Sequence, residues 1–509
     1  MDKRIIVDSS FPEETRVAFI NGSNIEHFEV DTSSNRKQLK GNIYLAKVGR
    51  VEPSLQATFV DFGGNKQGFL PFNEISDDYF KIPQTDKKKQ KINEDNDNFL
   101  QDFYATKSRR QVKKKSGKAL PNFRKYNIQE VIKKNQVMLI QVVKDERGGK
   151  GAALTTFLTI AGKYCVLMPN KPLGVKISKK ISNFEEKTKL KKIISSCNLP
   201  EEMGLIVRTA SKDCNEKEIT NDFNYVLGIW KSIKETTINS YAPSLIHEDS
   251  DIIKKFIRDS FIEEYKEIVI EGKETYHKGR KYIEKLIPKE TKKVKEYKND
   301  KLPIMEYYEL EEKINSIYES KVRLRSGGYI VINPTEALTA IDINSGRSTK
   351  ERNVEGTALK TNLEAVDEIC RQIKIRNIAG LIVIDFIDME SIKNRILVER
   401  RLKDSLRYDR AKCHITRISR FGLLEISRQR IGPSLIETTM EDVLIAGLKC
   451  TIRSTTSSAA RIFRKLQYLD IEKKVKEIHI FVHKTLADYI AKNNKVYIKS
   501  IEKKFRIKI

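Results

Sequence analysis

The chain has few cysteines and no apolar stretch of membrane length, and both absences narrow its class. Six cysteines stand at positions 165, 197, 214, 370, 413 and 450, with no CxxC pair among them. That speaks against a disulfide scaffold and against a paired-cysteine zinc site, and fits a reducing cytosol. No window approaches the ~20 apolar residues of a membrane span. The amino terminus, MetAspLysArgIleIleVal, passes straight into a strand-like run without the apolar core of a leader. A cytoplasmic protein is expected, with peripheral association at the inner face of the cell membrane left open. Acidic residues are also short: 69 Asp and Glu against 96 Lys and Arg leave a net charge of +27. Such an excess favours a polyanionic partner, nucleic acid first and an anionic membrane surface second, although a lysine-rich composition also arises from genomic bias.

What is present is a globular composition, 39% hydrophobic and 32% charged over 509 residues. That length exceeds a single core, and ~150 residues per domain gives three or four domains. Residues 4–37 alternate as strands do, and residues 38–75 run as short β-branched and aromatic segments broken by Gly, Pro and Asn, the pattern of a small antiparallel barrel. From Gln84 to Lys125 hydrophobicity falls and LysLysLys and ArgArg clusters appear, predicting a flexible basic insertion. The barrel resumes with a strand at 136–145 and a turn at 148–152. Residues 157–253 are mixed, with a strand-like GlyLeuIleValArgThr at 204–209, and residues 254–317 read as charged and mainly helical.

Two apolar runs in the second half each carry an aspartate: GluAlaLeuThrAlaIleAspIleAsn at 336–344 and LeuIleValIleAspPheIleAsp at 381–388. A carboxylate taken out of water costs several kcal/mol unless compensated, and a second one nearby raises the pKa of both. A divalent cation relieves both effects, and Mg²⁺ is normally held by one or two carboxylates with phosphate oxygens. Between the runs, Leu363, Val366, Ile369, Cys370 and Ile373 share one helical face, and Thr361-x-x-Glu364 predicts a capping box at the start of that helix. The unit reads strand–helix–strand, which makes the strands parallel and brings Asp342 and Asp385 together at their carboxyl ends. Asn344, two residues past Asp342, can orient a phosphate or a water. Asp388 either supports the site or caps the next helix, and Arg417, Arg420, Arg428 and Arg430 offer cations for a nucleic-acid backbone. A single Asp at a strand end often caps only the next turn; two of them joined by one crossover favour metal binding.

These runs, together with ThrAsnLeuGluAlaVal and SerArgPheGlyLeuLeuGluIleSerArgGlnArg, resemble the bacterial ribonuclease E/G family in the same order from residue 4 to about 437. Within it the likeness is strongest to the catalytic half of alphaproteobacterial-type ribonuclease E. The resemblance implies an α/β multidomain protein. It would comprise an RNase H-like domain (1–37 and 254–317), an OB-type RNA-binding barrel (38–156, with the basic insertion 84–125) and a 5′-phosphate sensor region (157–253). A DNase I-like catalytic domain (318–439), a segment at 440–453 and a small oligomerisation domain (454–509) would follow. It further implies an Mg²⁺-dependent, single-strand-specific endoribonuclease acting in mRNA decay and in rRNA and tRNA maturation, leaving 5′-phosphate and 3′-hydroxyl ends. By that resemblance Asp342 and Asp385 bind Mg²⁺, Asn344 supports them, and Phe59, Phe69 and Lys150 close over the RNA strand. Arg208, Thr209 and Val166 would form the pocket for a 5′-monophosphate. The lesser alternative for Phe59 is a core residue, and without the family Arg208 reads as an ordinary exposed arginine.

The chain departs from the family pattern after residue 439. Val443 and Ala446 stand where two zinc-binding cysteines are expected, and Cys450 is alone. No family-type zinc link is expected, because two sulfurs from two subunits fall short of a closed tetrahedral site. A homo-oligomer, dimer or tetramer, would then rest on apolar contacts. The chain ends a short way into the last domain, so no tail-borne degradosome scaffold is expected. The competing reading is a catalytically inactive RNA-binding member of the family; a DNA-directed phosphodiesterase is a distant third.

Overall fold

A computed structural model describes the whole chain except residues 1, 12, 33–38, 82–125, 147–149, 179–180, 182, 196, 198, 213, 250, 260–263, 300–301, 347–353, 408, 446–447, 474–476 and 506. The predicted basic insertion, 84–125, therefore lies outside the described residues. Two compact units emerge: Met1–Lys37 with Phe261–Glu284 and Lys289–Ile509, and Gln38–Ser260 with Lys285–Pro288. The protein is a mixed α/β multidomain chain.

The first unit begins with an antiparallel meander of β1 (Lys3–Phe11), β2 (Glu14–Asn21) and β3 (Asn24–Thr32). Ile6, Ala18, Ile20 and Ile25 are buried in its core, as β-branched residues on a pleated sheet favour.

In the second unit a small closed barrel is formed by β4 (Ile43–Glu52), β5 (Ala57–Asp61), β6 (Gly68–Pro71), β7 (Val137–Lys144) and β8 (Ala153–Thr155). Closure comes from β4, which pairs with both β5 and β7, while β8 pairs with both β6 and β7. Ala46, Val48, Val60, Leu70, Ile140 and Leu154 fill its interior. A second sheet follows, with β9 (Ile160–Ala161) and β10 (Cys165–Met168) antiparallel to each other. In it β11 (Gly174–Ile177) lies parallel to β12 (Gly204–Val207), and β12 joins β10. Helices α1 (Phe184–Ser195) and α2 (Glu216–Ile238) bury Leu190, Ile194, Phe223 and Val226 in the same core. Strand β13 (Ser244–His247) joins β4, and α3 (Ile252–Asp259) ends the unit's main segment.

The chain returns to the first unit with β14 (Glu267–Glu271) and β15 (Val294–Glu296), which extend the β1 sheet in parallel. The region 254–317 is mainly helical, as its charge pattern suggests, with helices at Lys273–Leu286, Ile304–Tyr307 and Glu311–Ser316, and the two short strands are the part that reading did not include. GluIleValIleGlu is a short β-branched run, too short for periodicity to separate strand from helix. Next comes a six-stranded sheet of β16 (Lys321–Arg323), β17 (Tyr329–Pro334), β18 (Leu338–Asn344), β19 (Gly380–Asp385), β20 (Cys413–Ile415) and β21 (Leu423–Arg428), in the order β16-β17-β18-β19-β21-β20. Only β18 and β19 are parallel, because α4 (Val354–Ile375) lies between them in sequence. Ile341, Ile343, Ile382, Ile384 and Ile426 face α4 and α5 (Ile392–Leu406) across one core. The predicted capping box is corrected here. Thr361 is buried inside α4, and Glu364 instead accepts the backbone amides of Arg325 and Ser326. Beyond lie a hairpin of β22 (Met440–Ile445) and β23 (Leu448–Arg453) and three helices, Thr455–Lys473, Lys484–Asn493 and Lys495–Phe505.

Candidate active site

The parallel pairing of β18 with β19 sets Asp342 directly beside Asp385. Side chains alternate across a strand, so with Ile341, Ile343, Ile382 and Ile384 turned to the core, both aspartates stand on the opposite face and are exposed. The expectation that they are buried is corrected. Leu381 and Val383 are apolar but share the open face with Asp385, so a continuous apolar run misrepresents a sheet covered on one side only. Asn344, half-exposed at the end of β18, donates its Nδ2 to Asp342 Oδ2 at 2.7 Å. Partial burial first, then the neighbouring charges of Asp342 and Asp388, push the Asp385 carboxyl above its ordinary pKa.

Asp388 therefore acts on Asp385 through its charge. It does not begin α5, which starts after Ser391. Glu355, from α4, accepts the amides of Glu390 and Ser391 and the Asn394 Nδ2 instead. Sequence reading missed Glu355, which lies 35 residues from Glu390 and has no local signal.

Oxygen donors suit a hard divalent cation, and a cation would relieve the repulsion between these two carboxylates. Among the described residues no group of three or more His, Cys, Asp and Glu side chains could hold a metal. Any ion here would rest on Asp342 and Asp385 with water or substrate oxygens, a set magnesium accepts. The residues fit.

The four arginines expected on this surface divide. Arg417 and Arg420 are exposed, and neither pairs with a carboxylate among the described residues. Arg430 pairs with Glu437. Arg428 is buried, and its Nε donates to Asp409 Oδ2 at 2.8 Å while Nη1 donates to the Ile378 carbonyl at 2.8 Å. It is a core residue, because strand alternation turns it inward with Leu424 and Ile426. The Arg428 hydrogen bonds outweigh burial and hold the Asp409 carboxyl below its ordinary pKa.

In the second unit Phe59 and Phe69 are register partners across β5 and β6, with ring centroids 5.9 Å apart at 63°. Both are half-buried, and the Arg50 guanidinium lies 5.2 Å from the Phe59 ring centroid. Lys150 is exposed at the start of the segment whose Ala152 carbonyl accepts the Phe69 amide at 2.7 Å. Gly151 is required there, since a Cβ would fall 2.0 Å from the Gln67 carbonyl oxygen. The predicted turn at 148–152 lies partly outside the described residues.

Arg208 follows β12 and is not an ordinary surface arginine. Its Nη1 donates to the Gly162 carbonyl at 2.8 Å and its Nη2 to Asp259 Oδ1 at 2.7 Å. Burial would raise the Asp259 pKa, but Arg258 and then Arg208 hold it low. Asp222, from α2, accepts the amides of Lys163, Tyr164 and Cys165 and fixes the loop carrying Gly162. Asp222 and Asp259 were invisible to sequence reading because the groups they lock here, the amides of residues 163–165 and the Arg208 guanidinium, are more than fifty residues away. Thr209 is exposed, and Val166 is half-buried on β10 opposite Ile206. Asp342, Asn344 and Asp385 belong to the first unit; Phe59, Phe69, Lys150, Arg208, Thr209 and Val166 belong to the second. Val443 pairs with Cys450 in the β22–β23 hairpin, and Ala446 lies outside the described residues.

Comparison with known proteins supplies the context. The model of the ribonuclease E/G family matches residues 159–431, and that of the RNase E/G thioredoxin-like domain matches residues 449–509. The chain is 39% identical over 507 residues to ribonuclease E of Haemophilus influenzae, covering 100% of this chain and 50% of that protein. It is 38% identical over 501 residues to ribonuclease E of Escherichia coli, covering 98% of this chain and 44% of that protein. A putative ribonuclease E of Buchnera aphidicola subsp. Baizongia pistaciae is 39% identical over 434 residues, 85% of this chain and 96% of that protein. The chain spans about half the length of the first two relatives. With more than half of its residues matched by the family model, from the 5′-sensor candidates through the aspartate pair, the chain belongs to the ribonuclease E/G family.

Proposed function

We propose that the protein is an Mg²⁺-dependent, single-strand-specific endoribonuclease that hydrolyses phosphodiester bonds in mRNA decay and in rRNA and tRNA maturation, leaving 5′-phosphate and 3′-hydroxyl ends. The observation that carries the reading is the register pairing of Asp342 with Asp385 on an open sheet face, with Asn344 hydrogen-bonded to Asp342. A bound magnesium ion would supply Lewis acidity towards a phosphate oxygen and acidify water. The chain's own residues do the rest. Asp342 and Asp385 hold that charge at one point, and the Asn344 amide fixes the orientation of Asp342. Arg417 and Arg420 attract the phosphate backbone to the same unit.

Phe59 and Phe69 are the candidates for stacking on unpaired bases, with Lys150 as a phosphate cation. Arg208, Thr209 and Val166 are the candidates for a 5′-monophosphate pocket; in it a phosphate would compete with Asp259 for the Arg208 fork. The RNase H-like, OB-type, sensor and DNase I-like assignments belong to this proposal, as do a homo-oligomer through the C-terminal region and the absence of a zinc link at Val443 and Ala446.

The test is cleavage of a 5′-monophosphorylated, A/U-rich single-stranded RNA. Cleavage that requires Mg²⁺ and is lost in Asp342→Asn, while RNA binding persists, supports the proposal. Binding without cleavage by the wild-type protein overturns it in favour of an inactive RNA-binding member.

A further inference from the structure

The turn between β20 and β21 carries an aromatic ring that no fold requirement explains. Phe421 is 83% exposed, yet its backbone is tightly held. The Ser419 Oγ accepts the amides of Phe421 at 3.2 Å and Leu423 at 3.3 Å, and the Ser419 carbonyl accepts the Gly422 amide at 3.2 Å. Gly422 sits at φ +76, and its carbonyl accepts the amide of Phe386, the residue after Asp385, at 3.2 Å. A Cβ on Gly422 would lie 3.4 Å from Asp388 Oδ1 and 3.7 Å from Asp385 Oδ1, so the turn presses against the acidic site. Leu423 is the cross-strand partner of Asp385, which places Phe421 two residues from that pairing. On the same turn Arg420 and, just before it, Arg417 are exposed cations.

An isolated exposed phenylalanine needs no explanation. This one is fixed by a glycine-dependent turn, flanked by arginines and set beside two carboxylates. A flat apolar ring with phosphate-binding cations next to it suits an unpaired base, because every base offers a π-face. Duplexed bases are already stacked and cannot use it. From this juxtaposition we infer that Phe421 is a stacking platform that seats one unpaired base of the RNA strand next to the bond cut at Asp342 and Asp385, with Arg417 and Arg420 on the adjoining phosphates. The inference rests on RNA being the substrate of that aspartate pair.

A single abasic nucleotide is walked along a defined single-stranded RNA, and wild type, Phe421→Ala and Phe421→Trp are compared. Stacking contributions of the usual size predict about a tenfold rise in KM for Phe421→Ala with kcat little changed. One abasic position should reproduce that rise in the wild type and add nothing in Phe421→Ala, and Phe421→Trp should restore KM. An unchanged KM in Phe421→Ala, or abasic and alanine effects that multiply at every position, would overturn the inference. If the wild type binds RNA without cutting it, the endonuclease proposal fails by itself. The same abasic walk, read as dissociation constants by fluorescence anisotropy, then decides the stacking role by the same pattern of non-additivity. Melting temperatures should match across the three proteins, since the ring is exposed.

Discussion

Arg428 and Arg420 lie eight positions apart in one basic stretch, and the structure gives them opposite roles. The Arg428 and Asp409 side chains retain 3% and 2% of their exposure. Arg428 meets Asp409 through Nε at 2.8 Å and Nη2 at 3.1 Å, and its Nη1 reaches the Ile378 carbonyl and Asn377 Oδ1. Removing one partner of a buried pair leaves the other charge uncompensated and costs about 3–5 kcal/mol. Arg428→Ala should therefore lower the melting temperature by roughly 6–20 °C, at about 2–4 °C per kcal/mol. Asp409 is held below its ordinary pKa. The stability it contributes is thus present above the unfolded carboxylate value of ~3.9 and lost as pH falls through the lower folded value. The penalty of Arg428→Ala should accordingly shrink in acid, and Asp409→Asn in the Arg428→Met background should recover part of it. Arg420→Ala should melt like the wild type but reduce the salt dependence of RNA binding by about 0.7 in log–log slope, the contribution of one single-strand phosphate contact. Differential scanning calorimetry and salt-titrated anisotropy read the two quantities separately. A wild-type melting curve for Arg428→Ala together with a reduced salt slope would refute the assignment.

Phe59→Ala and Phe69→Ala should each weaken single-stranded RNA binding by about 1–3 kcal/mol. The double variant should lose less than the sum because the two rings touch; strict additivity in binding titrations would count against a shared stacking surface. In the metal-free protein the Asp385 carboxyl should titrate above a free aspartate, and bound Mg²⁺ should lower it, so the acid limb of Mg²⁺-dependent cleavage should move to lower pH as Mg²⁺ is raised. Asp388→Asn removes one charge that raises the Asp385 value and should move the limb to lower pH; an unmoved limb would exclude Asp388 from the site's electrostatics. Molecular mass in solution by light scattering should be the same with and without EDTA, because Val443 and Ala446 cannot ligate zinc. A mass that collapses on chelation would refute the absence of a zinc link.

The neighbourhood of Asp342 and Asp385 was legible because it is encoded locally: two β-branched runs, a helix of 3.6-residue period between them and the handedness of crossovers. The barrel strands were legible for the same reason, from short runs punctuated by Gly and Pro. What could not be read depends on distant partners or on which face a neighbour covers. Arg428 is indistinguishable from Arg420 until strand alternation and Asp409 turn it inward. Arg208 looks like a surface arginine until Asp259, 51 residues on, and Gly162 engage it. The start of α4 was misplaced because Thr361 and Glu364 form a plausible box whose true partners, Arg325 and Ser326, lie on another segment. Strand β14 was missed because five residues are too few to carry a period.

Exposure of the aspartates also changes the reason to expect a cation between them. Had they been buried, desolvation would demand a counter-charge. On the open face water already solvates each carboxylate, and desolvation is no longer decisive. What remains is that two like charges stand directly opposite on neighbouring strands, a pairing that destabilises a sheet. One Asn344 amide answers a single oxygen of Asp342, and among the described residues no cation is paired with Asp385. The pair therefore stays under mutual repulsion, which adds to the larger effect of partial burial in raising the Asp385 pKa. A site that is solvated, doubly acidic and on an open face can exchange water for phosphate oxygens without first exposing itself. Under the proposed function that arrangement lets an extended RNA strand reach the pair directly, whereas a buried aspartate pair would have to open before each cut.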